Sequence, residues 1–178
     1  MSHVLLTGLP GVGKTTLIRE LAKRLAGYYP AGFFTEEIRE EGIREGFRLE
    51  SLDGRQLTLA HSDRKSSHRV GRYGVEIAGF ERLLSDLNLP RSPSCVIIID
   101  EIGKMECLSK FFTEEVRSLL DSSKTVIATI ALKDDGFIRK VKQRSDCRLI
   151  TVTVENRTGL ADSIFSEVLK QIRNGDSR

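Results

Sequence analysis

The stretch Gly8-Leu9-Pro10-Gly11-Val12-Gly13-Lys14-Thr15 limits this chain more than any other. It fits G-x-x-x-x-G-K-[ST], leaves the apolar run HVLLT (His3–Thr7) and opens into TTLIRELAKRLA. A backbone that wraps a phosphate with its own N–H groups needs glycine wherever a side chain would block the approach. A helix starting just beyond adds unpaired donors and partial positive charge. In such a loop a lysine at position 14 reaches the β and γ oxygens, and the Thr15 hydroxyl can ligate magnesium. The order strand, glycine turn, helix therefore predicts an α/β fold that binds a nucleotide.

The rest of the chain keeps a strand–helix rhythm. Leu17, Ile18, Leu21, Ala22 and Leu25 form one helical stripe. From Gly32 to Leu59 the period falls to two, and Asp53-Gly54 between alternating segments signals a hairpin. This predicts a small, mostly solvated antiparallel insertion after the first helix, at about residues 32–60. HSDRKSSHRVGR then reads as a polar, basic loop. Helical spacing returns at Ile77, Phe80, Leu83, Leu84 and Leu87, and CVIII, TVIATIA and CRLITVTV each precede a further helical or basic segment. Near-continuous β-branched runs suit strands covered on both faces, hence a mainly parallel sheet between helices in three layers. One domain over 1–178 is expected.

Two adjacent carboxylates, Asp100 and Glu101, end the run CVIII. A magnesium site needs one of them, and Asp100 is the natural holder. Neighbouring side chains leave the chain in different directions, so Glu101 is free to face the water in line with the γ-phosphate and accept its proton. Lys14, Asp100 and Glu101 are thus the expected catalytic set, with Thr15 and Asp100 as metal ligands. In the turn that follows, Lys104 can sense phosphate charge and Glu106 can orient Lys104 or the water. Thr129, in the next strand, is placed to read the γ-phosphate. The bland alternatives are solvated loop residues and ordinary strand propensity. Two basic groups, Arg64/Lys65/Arg69/Arg72 and Arg139/Lys140/Lys142/Arg144, are candidates to fold over the phosphates. Asn156 and Arg157 follow the last strand at the carboxyl edge, where they would flank the base. The guanine-reading signature N-K-x-D is absent, so a permissive base preference is expected.

Bulk properties exclude several classes. A net charge of +3 over 178 residues does not imply a nucleic-acid partner. Three cysteines without a C-x-x-C pair suit neither a disulfide framework nor a zinc site, and point to the cytoplasm. No run approaches the ~20 apolar residues of a membrane span.

TGLPGVGKTTL, GFFTEEIREEGIREGF, IIIDEIGKMEC and VTVENR together resemble the small nucleoside-triphosphatase family first described in thermophiles, which includes a human cancer-related nucleoside-triphosphatase. The resemblance covers nearly the whole chain, and D-E-I-G-K-M-E is its most specific part. It implies a RecA-like P-loop fold, Mg2+ as cofactor, and hydrolysis of ATP, GTP, CTP, UTP and TTP to the diphosphates. By this analogy the nucleotide contacts lie in Gly8, Leu9, Pro10, Gly11, Val12, Gly13, Lys14, Thr15 and Thr16, and around Ile98, Ile99, Asp100, Glu101, Ile102, Gly103, Lys104 and Met105. Cys107 stands where a leucine is expected in most members. Two other functions fit the same motifs. One is a nucleotide or nucleoside kinase with FIRKVKQR as a basic lid. The other is a switch subunit whose inserted sheet meets a partner. A monomer or weak oligomer is expected.

Overall fold

The computed structural model describes residues 3–175, with no account of the side chains of residues 174 and 175. The expected span of 1–178 runs past it, so residues 1–2 and 176–178 lie outside the described residues. The strands are β1 (His3–Thr7), β2 (Ala31–Glu40), β3 (Ile43–Ser51), β4 (Gln56–His61), β5 (Arg69–Val70), β6 (Tyr73–Val75), β7 (Val96–Ile102), β8 (Thr125–Ile130) and β9 (Cys147–Thr151). The helices are α1 (Lys14–Arg24), α2 (Ile77–Leu87), α3 (Lys110–Leu120), α4 (Gly136–Lys142) and α5 (Arg157–Gly175). All the strands join one sheet in the order β5-β6-β4-β3-β2-β7-β8-β1-β9. From β2 to β9 the neighbours run parallel; from β2 to β5 they run antiparallel.

Alternation along the central strands divides the core into two layers. Val4 and Leu6 of β1, Ile98 of β7 and Ile127 of β8 pack under α1 and α5. Leu5, Ile97, Ile99 and Val126 face the other way, under α2, α3 and α4. A strand buried on both faces requires apolar side chains at successive positions, which is why β7 and β8 read as unbroken runs.

The antiparallel part follows the first helix, and it continues the parallel sheet with one face buried. The first residues of β2 pair in parallel with β7, Ala31 to Ile97 and Phe33 to Ile99, before the strand turns to β3. Gly32 permits this approach: its φ is 136°, and a Cβ there would fall 1.8 Å from the Ile98 carbonyl oxygen. The antiparallel pairing also reaches past residue 60 to Val75, and Phe33, Leu49, Leu59 and Val75 are buried in the same core as Phe80 and Phe112. Helix α2 covers these strands, so alternation that read as half-exposed is buried on one side. No helix among the described residues is long and apolar enough to cross a membrane.

His3 closes the base of the central strands. Its buried ring donates from Nε2 to Leu120 O at 3.0 Å and accepts at Nδ1 from the Val126 N–H at 3.2 Å. Burial pushes its pKa below the ordinary 6.5, against the pull of the Leu120 hydrogen bond and the Asp146 charge. The unfolded chain therefore takes up this proton first. The stability His3 contributes is complete above pH 6.5 and is lost as the pH falls from there towards the lowered folded-state value. Thermal unfolding of His3→Gln between about pH 7.5 and 5 should decline less steeply than that of the wild type; parallel slopes would contradict this role.

Candidate functional site

The glycine turn takes the shape its composition requires. Gly8, Gly11 and Gly13 have φ of 148°, 75° and 106°, and Gly13 caps α1 in the left-handed region. At Gly8 even an alanine is excluded by space, because a Cβ would meet the Val152 carbonyl oxygen at 2.6 Å. Leu9, Pro10, Gly11 and Thr16 are exposed around this cradle, with Val12, Gly13, Lys14 and Thr15 half-buried. Lys14 donates to the loop carbonyls of Gly8 at 2.9 Å and Leu9 at 3.1 Å, so its ammonium lies within the loop.

Asp100 and Glu101 lie inside β7, where the pairing with β8 shifts register between Ile99 and Ile102; the peptide joining them is cis. Asp100 is 3% exposed. Its Oδ1 accepts from the Thr129 hydroxyl of β8, while Oδ2 is buried with no hydrogen-bond partner. The Thr35 hydroxyl of β2 donates to its backbone carbonyl at 2.5 Å. Burial raises the Asp100 pKa; the hydroxyls of Thr129 and Thr15 and the charges of Arg19 and Lys14 pull it down. An unpartnered carboxylate oxygen with the Thr15 hydroxyl close by is a fitting pair of ligands for a hard divalent cation. Phosphate and water oxygens supply the remaining ligands in sites of this kind. That accords with the absence, among the described residues, of any cluster of three or more acidic, histidine or cysteine ligands.

Glu101 is half-buried, and its pKa is raised by burial and by Asp100 against the pull of Lys14. Gly103 leaves room for it: a Cβ there would lie 3.4 Å from the Glu101 carboxyl carbon and 2.7 Å from Glu106 Oε2. Glu106 is 5% exposed. Burial, then the charge of Glu101, pushes its pKa up to about 8, so it is a neutral carboxyl at neutral pH. Lys104 is exposed, and Met105 packs on the core. The side chains of Ile98, Ile99 and Ile102 are buried in the two core layers and their backbone pairs with neighbouring strands, so they position the acids between them.

Arg157, in the first turn of α5, donates to Val12 O at 3.3 Å, and its Nη1 would lie 3.6 Å from a Cβ on Gly13. Asn156 is committed elsewhere. Its Oδ1 accepts from the Thr153 N–H and its Nδ2 donates to Thr151 O, both at 2.8 Å, so it shapes the loop after β9. The two basic groups behave differently from Arg157. Arg64 pairs with Glu76 and Arg72 with Glu45 near β6, four strands from β7, or roughly 19 Å at the usual strand spacing. Lys142 pairs with Asp134 at 2.7 Å, and Arg144 bonds Asp146 and the carbonyl of Leu120, the last residue of α3.

Sequence patterns gave no notice of Arg19, Thr35 and Glu36. Arg19 follows Thr15 by four residues, one helical turn, and reaches Glu36 at 2.6 Å. Helical spacing alone was the available signal, and it does not separate such an arginine from a solvated one.

Comparisons with known proteins place nearly the whole chain in one family. A family model described as NTPase matches residues 3–165. The chain is 44% identical over 168 residues to nucleoside-triphosphatase THEP1 of Thermotoga maritima, covering 94% of this chain and 95% of that protein. It is 38% identical to the cancer-related nucleoside-triphosphatase of Homo sapiens, covering 92% and 95% of the two chains. The crystal structure of THEP1 from Aquifex aeolicus superposes with a TM-score of 0.83 at 36% identity, over 92% of this chain and 97% of that one. The solution structure of the human protein gives 0.79 at 35% identity, over 94% and 97%. The chain is thus a member of the NTPase family.

Proposed function

We propose that this protein hydrolyses nucleoside triphosphates to the diphosphate and phosphate, with Mg2+ and with broad tolerance of the base. The observation that carries the reading is that a glycine cradle holding Lys14 shares the site with a buried Asp100, one oxygen of which is fixed by Thr129 and the other left without a hydrogen-bond partner among the described residues. The names of the relatives point the same way, since both are called nucleoside-triphosphatases.

In this mechanism the amides of Gly11 to Thr15 hold the β- and γ-phosphates, and Lys14 leaves the loop carbonyls for phosphate oxygens. Asp100 Oδ2 and the Thr15 hydroxyl are the protein's ligands for magnesium, with Thr129 fixing the other oxygen of Asp100. When bound, the cation neutralises charge on the β- and γ-oxygens. Glu101 orients a water against the γ-phosphorus and accepts its proton as the oxygen–phosphorus bond forms. The bond to the β-phosphate oxygen breaks, and the diphosphate leaves with Arg157 beside the loop. Broad base tolerance accords with the absence of a guanine-reading N-K-x-D run and with Asn156, whose amide already bonds the Thr153 N–H and Thr151 O in its own loop.

Phosphate release from ATP, GTP, CTP, UTP and TTP, with and without nucleosides or monophosphates as acceptors, tests the reading. Release from each nucleotide without an acceptor is expected. Transfer of the γ-phosphate to an acceptor, with hydrolysis only as a leak, would show a kinase. In Glu101→Gln, turnover should fall by about 10²-fold or more, the usual worth of a general base, with nucleotide affinity little changed by fluorescence titration. Near-normal turnover in that variant would remove Glu101 from the mechanism. Thr129→Val removes the one donor to Asp100 Oδ1. The magnesium concentration giving half-maximal activity should rise about tenfold, the lower end of the range for residues that orient a ligand. An unchanged magnesium curve would make Thr129 a core residue only.

A further inference from the structure

On the face of the sheet opposite α2, a cavity of about 430 Å3 opens between α1 and the inner ends of β2 and β3. It exists because β2 and β3 extend the sheet past the reach of α1, so that Phe34 is covered by arginine where a further helix would otherwise pack. Volumes of about 300–1,000 Å3 are those of small-molecule sites. Ala22, Ala26 and Phe34 give it an apolar wall, and Arg19, Lys23 and Glu50 a charged one.

The charges are not equivalent. Arg19 lies 4.4 Å over the Phe34 ring, pairs with Glu36 at 2.6 Å and faces Glu50 at 3.8 Å, so these groups compensate one another. Lys23 is exposed and forms no ion pair among the described residues. Nine residues of helix separate it from Lys14, roughly 14 Å at 1.5 Å per residue. The cavity therefore lies well down α1 from the phosphate cradle.

We propose that this cavity is a second ligand site, distinct from the nucleotide cradle, for a small planar organic anion. The ring of the ligand lies against Ala22, Ala26 and the planar Arg19 guanidinium that covers Phe34, where its burial removes apolar surface from water. Its anionic group meets Lys23, the uncompensated cation. Neither contact uses a residue of the hydrolytic reading, so the site stands or falls separately from it.

The aromatic sulfonate 8-anilinonaphthalene-1-sulfonate is a suitable probe, titrated into the full chain by fluorescence with and without saturating magnesium-ATP. A single saturable site that persists with nucleotide and in Lys14→Ala is expected. Ala26→Trp, which fills the cavity, and Lys23→Glu, which reverses its free charge at an exposed position, should each weaken the dye by about tenfold. Lys23→Glu keeps the test decisive if Ala26→Trp does not fold. Dye displaced by ATP, dye that does not saturate, or unchanged affinity in Lys23→Glu would overturn the assignment.

Discussion

Asp100 has one oxygen held by Thr129 and one held by nothing, in a position almost closed to water. A carboxylate desolvated in this way is costly unless something charged or hydrogen-bonding completes it. The surroundings are built to limit that cost. β8 brings a hydroxyl, β2 brings Thr35 to the backbone carbonyl, and α1 brings Lys14, Thr15 and Arg19 to the same side. Each comes from a different element, so the parallel register of β1, β8 and β7 is what sets Asp100 across from the glycine turn.

The neighbouring acids divide by environment. Burial raises the pKa of all three: at Asp100 two hydroxyls and two cations oppose it, at Glu101 only Lys14 does, and at Glu106 the charges of Glu101 and Asp100 add to it. The three acids differ in the groups that surround them, and the separation of cation binding from proton acceptance that we propose for Asp100 and Glu101 rests on those surroundings. Gly103 is part of this arrangement, since a Cβ there would fall 2.7 Å from Glu106 Oε2.

Motifs written in backbone conformation were legible from sequence. The glycines of the cradle, the strand before them and the helix after them follow from what a phosphate-wrapping turn requires, and they appear at φ values that favour glycine. The unbroken apolar runs of β7 and β8 likewise announced burial on both faces. What was hidden depends on contacts between distant segments. The alternation in β2 to β4 suggested a solvated sheet because α2, which buries one face, lies far along the chain. Gly32 marked only the start of the alternating segment; its need for glycine comes from the Ile98 backbone across the strand pair. Asn156 was expected only to flank the base, and its hydrogen bonds to the loop after β9 have no sequence signature. Arg19 was one charge among many on an amphipathic helix.

The division of labour between adjacent acids is most directly tested by a crystal structure with magnesium, ADP and aluminium fluoride, which imitates the γ-phosphoryl group in transfer. The account predicts Asp100 in the magnesium shell and a Glu101 carboxylate oxygen within about 3 Å, hydrogen-bond reach, of the water opposite the leaving oxygen. A Glu101 side chain turned away from that water, with another group in its place, would contradict it.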